Sequence, residues 1–241
     1  MKYLLSIWAD GMPAPEDMAV IQREIPGWVE EMDGRGLRLL GRELDLPEQA
    51  ATVRVRDGET LVTDGPFADT KEFIAGLDLF ECADLDEAIE ATAKHPVSWF
   101  QAIEIRPFMD GLRLGEKAAA FARGDDSAGT PYLLMMWMGG TPGAPVDDQA
   151  LMDEGEAWKQ DAEARGLQIL GNALQGTDTA RTVRVRDGKT LLSDGPFVET
   201  KEFIAGLDVV SCADREQAIQ LAAAHPLARY YAIEVRPFYC E

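Results

Sequence analysis

Apolar and polar positions alternate from Tyr3 to Trp8, the pattern of a half-buried strand. After the Gly11–Pro15 loop the period changes. From Glu16 on, Met18, Ile21, Ile25, Trp28 and Met32 recur at three- and four-residue steps, the stripe of an amphipathic helix. Pro26-Gly27 inside that stripe predicts a kink or split, because proline has no N–H for the preceding turn. Gly34 and Gly36 close the helix, and Leu37–Leu44 reads as a second strand. Thr52–Arg56 and Glu59–Thr63 flank Asp57-Gly58, a strong hairpin signal. The turn Asp64-Gly-Pro-Phe67 then leads into a long strand from about Thr70 to Cys82. Asp84 and Glu87 form a capping box for a helix that stops at His95-Pro96, and Gln101–Phe108 is a last strand.

The whole series occurs twice. Residues 53–78 and 183–208 agree at 21 of 26 positions, 130 residues apart, so Asp64 answers to Asp194, His95 to His225 and Arg106 to Arg236. In the second copy the first helix runs from Asp147 to Arg165 without a proline. The domains expected are 1–108 and 131–241, joined by a linker over 109–130 with a short helix ending near Arg123 and a small, polar stretch Gly124–Thr130. Strand, helix, strands, helix, strand is an α+β unit, two helices on one face of a mainly antiparallel sheet: the ferredoxin-like pattern. If the long strand is regular, Glu72, Ile74, Gly76 and Asp78 share a face opposite Lys71, Phe73, Ala75 and Leu77. The uncovered face would then carry Arg54, Arg56, Glu72, Glu104 and Arg106. It is either a solvated face of weak ion pairs or a face that meets its repeat mate, and the duplication favours the latter.

Net charge of −20 argues against nucleic acid or an anionic membrane as partner. No apolar run approaches a membrane span and the start lacks a signal-peptide pattern, so a cytoplasmic protein is expected. Three cysteines without CxxC spacing support neither a disulfide frame nor zinc, and Cys82 and Cys212 read as buried hydrophobes. One histidine per copy argues against a metal, and nothing points to a cofactor.

The runs DGPFADTKE, DLDEA, KHP and AIEIRPF, repeated as DGPFVETKE, AAAHP and AIEVRPF, resemble the DGPF group of YCII-related (YciI-like) proteins. The resemblance implies a dimeric α+β barrel, built here within one chain as a pseudo-dimer of two ferredoxin-like repeats, with further homo-oligomers open. The family has no settled activity, and some members lie near genes for extracytoplasmic-function sigma factors. In the YciI-like branch the resemblance implies a His–Asp pair, its His on the first helix and its Asp before the proline. Here the pre-proline position holds His95 or His225, and the helix position falls near Glu24 or Glu154, so the pair has its residue types exchanged.

Two functions follow. One is a small-molecule binding protein or enzyme, with His95/Glu24 and His225/Glu154 as acid–base candidates. Its ligand-binding candidates are Arg54, Arg56, Glu72, Arg106 and Asp64, with their mates Arg184, Arg186, Glu202, Arg236 and Asp194. The other is an accessory or regulatory protein acting through protein contacts. Each candidate has a plainer reading: His at a helix end caps carbonyls, the DGPF turn is structural, and the arginines pair with glutamates. Trp8 and Trp137, at the ends of the first strands, cap the core or line a pocket mouth.

Overall fold

The computed structural model describes residues 1–9, 18–68, 70–109, 112–114, 117–139, 146–198 and 201–240. The Gly11–Pro15 loop, the helix start at Glu16 and the loop residues 140–145 lie outside these. Two compact α+β units form, and they do not coincide with the repeats: unit 1 is Met1–Leu44, Thr70–Phe108 and Gln175–Glu199, and unit 2 is Asp45–Asp69, Met109–Leu174 and Thr200–Glu241.

Unit 1 contains β1 (Lys2–Ala9), α1 (Met18–Gly34) and β2 (Arg38–Glu43). The hairpin that follows, β3 (Ala51–Arg56) and β4 (Glu59–Asp64), belongs to unit 2. Unit 1 resumes with β5 (Phe73–Glu81), α2 (Leu85–Ala93) and β6 (Ala102–Pro107). Unit 2 takes β7 (Arg113–Leu114), α3 (Ala118–Ala122), β8 (Thr130–Gly139), α4 (Asp148–Ala164) and β9 (Gln168–Ala173). The second hairpin, β10 (Arg181–Arg186) and β11 (Lys189–Asp194), returns to unit 1. The chain closes unit 2 with β12 (Glu202–Cys212), α5 (Arg215–Ala224) and β13 (Ala232–Pro237). The sheets run β11-β10-β6-β1-β5-β2 and β4-β3-β13-β8-β12-β9-β7, antiparallel throughout. Each sheet is therefore finished by a hairpin from the other repeat.

Local chemistry explains the elements. Asp57 (φ 53°) and Gly58 (φ 80°) both sit at positive φ, as a two-residue hairpin matched to strand twist requires. Asp84 accepts from Glu87 N at 2.9 Å while Glu87 accepts from Ala83 N at 2.7 Å, a closed capping box that Asp214 and Gln217 repeat. Helix α1 is a single helix despite Pro26. One lost hydrogen bond does not split it, because Ile21, Trp28 and Met32 bury its stripe.

In unit 1, Tyr3, Leu5, Trp28, Met32, Phe80, Ala88, Ala91, Ile103, Ile105 and the hairpin's Val183 form the core between helices and sheet. Tyr132, Leu134, Trp158, Val210, Ala218, Ile233 and the hairpin's Val53 do the same in unit 2. Burying such side chains is worth about 1.5–3 kcal/mol each. Among the described residues no helix is long and apolar enough to cross a membrane.

The long strand departs from the expected alternation. Ile7 pairs with Gly76 but Trp8 with Ile74, so Ala75 is an extra residue, a β-bulge. Beyond it, Gly76, Asp78 and Phe80 stand opposite Ile7, Leu5 and Tyr3 and turn toward the helices. Asp78 therefore does not share a face with Glu72 and Ile74. The same bulge occurs at Ala205.

Candidate functional site

The bulge delivers an aspartate into the layer between sheet and helices, and a glycine on the next strand makes room for it. A Cβ on Gly41 would lie 1.7 Å from Asp78 Oδ1, and one on Gly171 would lie 1.6 Å from Asp208 Oδ1. Each histidine comes to the same layer through the turn after the second helix. His95 and His225 start 3-10 turns, and their Nδ1 atoms accept from Val97 N at 3.0 Å and Leu227 N at 3.2 Å. The acceptor role leaves the ring proton on Nε2. A tryptophan walls each ring: Trp28 lies 4.1 Å from His95 and Trp158 4.7 Å from His225, centroid to centroid. The indoles are fixed by bonds to Ala91 O and Leu221 O.

The two units then differ. In unit 1, Arg38 Nε donates to Asp78 Oδ1 at 2.7 Å, and His95 Nε2 lies 3.7 Å from Oδ2. Burial would raise the Asp78 pKa, but His95 and then Arg38 outweigh it and hold the carboxyl below its usual range. In unit 2 the place of Arg38 is taken by Gln168, whose Nε2 donates to Asp208 Oδ1 at 2.8 Å. Asp208 Oδ2 is buried without a hydrogen-bond partner among the described residues. Burial pushes Asp208 up to about 7 against the opposing pull of Lys159 and Gln168. Burial, reinforced by Lys159, pushes His225 down to about 3, so the ring is neutral.

Asp208, His225 and Lys159 share the wall of a cavity of about 630 Å³ in unit 2 with Met136, Met138 and Leu151. Lys159 Nζ hydrogen-bonds Asn172 Oδ1 at 3.4 Å. A volume of this order suits a small organic ligand. His225 also borders a smaller pocket of about 160 Å³ with Glu154 and Arg229.

The residues singled out from sequence fall as follows. Glu24 does not join His95: it is exposed on α1 and bonds its neighbour Arg23 at 3.3 Å. Glu154 lies at the outer pocket beside His225, ion-paired to Arg229. The carboxylate closest to His95 is Asp78, which the regular-strand reading had turned away. The histidine side chains accept a backbone N–H rather than capping carbonyls.

The arginines are committed elsewhere. Arg56 donates to Ala228, Arg229, Tyr230 and Tyr231 carbonyls, and Arg186 to Ser98 and Phe100, each fastening a hairpin to a 3-10 turn. Arg54 lies over Phe67 and Arg184 over Phe197. Arg106 and Arg236 are buried on Glu104 and Glu234, whose other oxygens accept the N–H of Phe197 and Phe67 at 3.0 Å. The DGPF turns are thus anchored by these glutamates and by stacking of Phe67 on Trp137 and Phe197 near Trp8. Both tryptophans are buried, with indole N–H groups that lack a partner among the described residues. Asp64 and Asp194 are exposed and pair with Arg215 and Arg181. Glu72 precedes β5, its carbonyl accepting from Thr70 Oγ1 at 2.6 Å, and Glu202 opens β12. Among the described residues no cluster of three His, Cys, Asp or Glu side chains could hold a metal. Cys82 and Cys212 are buried and pushed up to about 11 by burial, which keeps them as thiols.

A family model described as the YCII-related domain matches residues 5–110 and again 133–239. An uncharacterized protein of Rhizobium meliloti (strain 1021) is 58% identical over 41 residues, 17% of this chain, and the chain spans 33% of that protein's length. The crystal structure of a putative chlorite dismutase aligns over 99% of this chain and 94% of its own, with TM-score 0.42 and 10% identity.

Proposed function

This chain belongs to the YCII-related domain family, both repeats included, and from that premise we propose that its second unit binds a small, largely apolar molecule and transfers a proton on it. The observation that carries the reading is the cavity of about 630 Å³ lined by Asp208, whose buried Oδ2 has no hydrogen-bond partner among the described residues. Asp208 is the proton acceptor. A carboxyl pushed up to about 7 exchanges its proton at neutral pH, where a general base works best. His225 is not the base. Its pKa of about 3 keeps it neutral, and its Nε2–H serves as a donor to the anion left on the ligand. Lys159 supplies positive charge on the same wall. The proton passes from ligand to Asp208, the ligand's negative charge rests against Lys159 and His225, and return of the proton to another ligand atom restores the site.

A thermal-shift screen of small metabolites at pH 7, on the parent chain, Asp208→Asn and His225→Gln, tests this. At least one apolar, weakly acidic compound is expected to raise the parent's Tm and to lose that effect in Asp208→Asn. If no compound stabilises the parent and all three chains behave alike, the reading falls. An accessory role through protein contacts, linked to sigma-factor-dependent transcription, then takes its place.

A further inference from the structure

The same buried aspartate occurs in both repeats, seated by the same glycine, yet its partners have been exchanged. Arg38 Nε contacts Asp78 Oδ1 at 2.7 Å and Arg38 Nη2 contacts Gly41 O at 3.0 Å. At the corresponding places, 130 residues on, stand Gln168, Asp208 and Gly171. Gln168 reproduces the bond to Oδ1 at 2.8 Å without the charge. Oδ2 of Asp208 is buried with no hydrogen-bond partner among the described residues, whereas Oδ2 of Asp78 has His95 Nε2 at 3.7 Å. The positive charge has moved: Val29 of the first repeat is matched by Lys159 on α4, which faces the cavity. Asp153 and Glu156 of α4 also line the cavity, so among the described residues three carboxyls, with Asp208, share it with one ammonium, beside the neutral His225.

Resting on the reading above, we propose that Gln168, standing where the first repeat has Arg38, turns a closed ion pair into a ligand site, and that the ligand's polar end donates a hydrogen bond to Asp208 Oδ2. Oδ2 is a buried acceptor that no donor among the described residues satisfies, on a residue that lines the cavity, and the ligand's donor supplies the missing bond. An acceptor-only head, such as a carboxylate, is drawn by Lys159 but repelled by Asp208, Asp153 and Glu156. The methionine and leucine wall takes the rest of the ligand. Gln168 is a positioning residue: it holds Oδ1 so that Oδ2 points at the ligand.

The test uses the full chain labelled with ¹³C at its methionine methyls, at pH 8, titrated with toluene, benzyl alcohol and benzoate. The methyls of Met136, Met138 and Met152 report on occupancy. Benzyl alcohol is expected to bind about tenfold more tightly than toluene or benzoate, the scale of one hydrogen bond to a charged acceptor. Gln168→Arg is expected to erase that preference, its guanidinium pairing with the carboxylate as Arg38 does with Asp78 and drawing its charge away from the ligand's donor. The ranking in the parent stands as a test even if Gln168→Arg does not fold. Benzoate binding tightest, or the three probes binding equally, overturns the inference while leaving the cavity a binding site. No probe shifting these methyls overturns both this and the functional reading.

Discussion

Asp208 and Asp78 are the same residue by position and opposite by electrostatics. The unfolded reference for both is 3.8. Asp208 keeps its proton in the folded chain up to about pH 7, whereas the unfolded chain has released it. Between about pH 4 and 7 the folded state binds more protons, so this group's contribution to stability falls as pH rises. His225 works the other way. The unfolded chain takes up a proton near 6.5 that the folded chain refuses until about 3, so stability from this group is lost as pH falls through that window. The two slopes oppose each other between about pH 4 and 6.5. Asp208→Asn removes only the first. It should stabilise the chain at pH 8 by up to roughly 4 kcal/mol, the whole shift converted, and change little at pH 4. Urea unfolding at the two pH values measures this, and equal stability of the two chains at pH 8 would refute it. The histidines were legible in the sequence as lone, paired, pre-proline residues. Their carboxylate was not, although FIAGLD repeats an acid inside an apolar strand in both copies.

The missing step was a backbone irregularity. Strand alternation has period two, so one inserted residue flips everything beyond it. Ala75 and Ala205 are such residues, and nothing in their side chains announces a bulge. The glycines offered a signal in retrospect: Gly41 and Gly171 sit inside strands where only the absence of a Cβ leaves space for the aspartate. Elements with a local chemical cause were read correctly, among them the Asp-Gly hairpins, the capping boxes and the short linker helix at Ala118–Ala122. Pro26 does not split the helix that the apolar stripe predicts, because packing of Trp28 and Met32 decides that helix more than one lost bond does. The first strands are offset by 129 residues rather than 130, Tyr3 matching Tyr132 and Trp8 matching Trp137.

The duplication was plain from sequence, but the hairpin exchange was not. Hairpins β3–β4 and β10–β11 are nearly identical, so pattern alone cannot tell which pairs with β6 and which with β13. The exchange makes a prediction. Residues 1–130 alone carry a hairpin whose partner strand, β13, is absent, and should associate through it into dimers whose population rises with concentration in sedimentation velocity. A compact monomer at every concentration would contradict the exchange. The exchange leaves each unit with its own Asp–His site, and the functional reading depends on those two sites having diverged. The most direct measurement is a pH titration of the ¹³C carboxyl resonances of Asp78 and Asp208 in the intact chain. Asp208 should titrate near 7 and Asp78 below 3.8. Two carboxyls titrating together in the ordinary aspartate range would contradict the account.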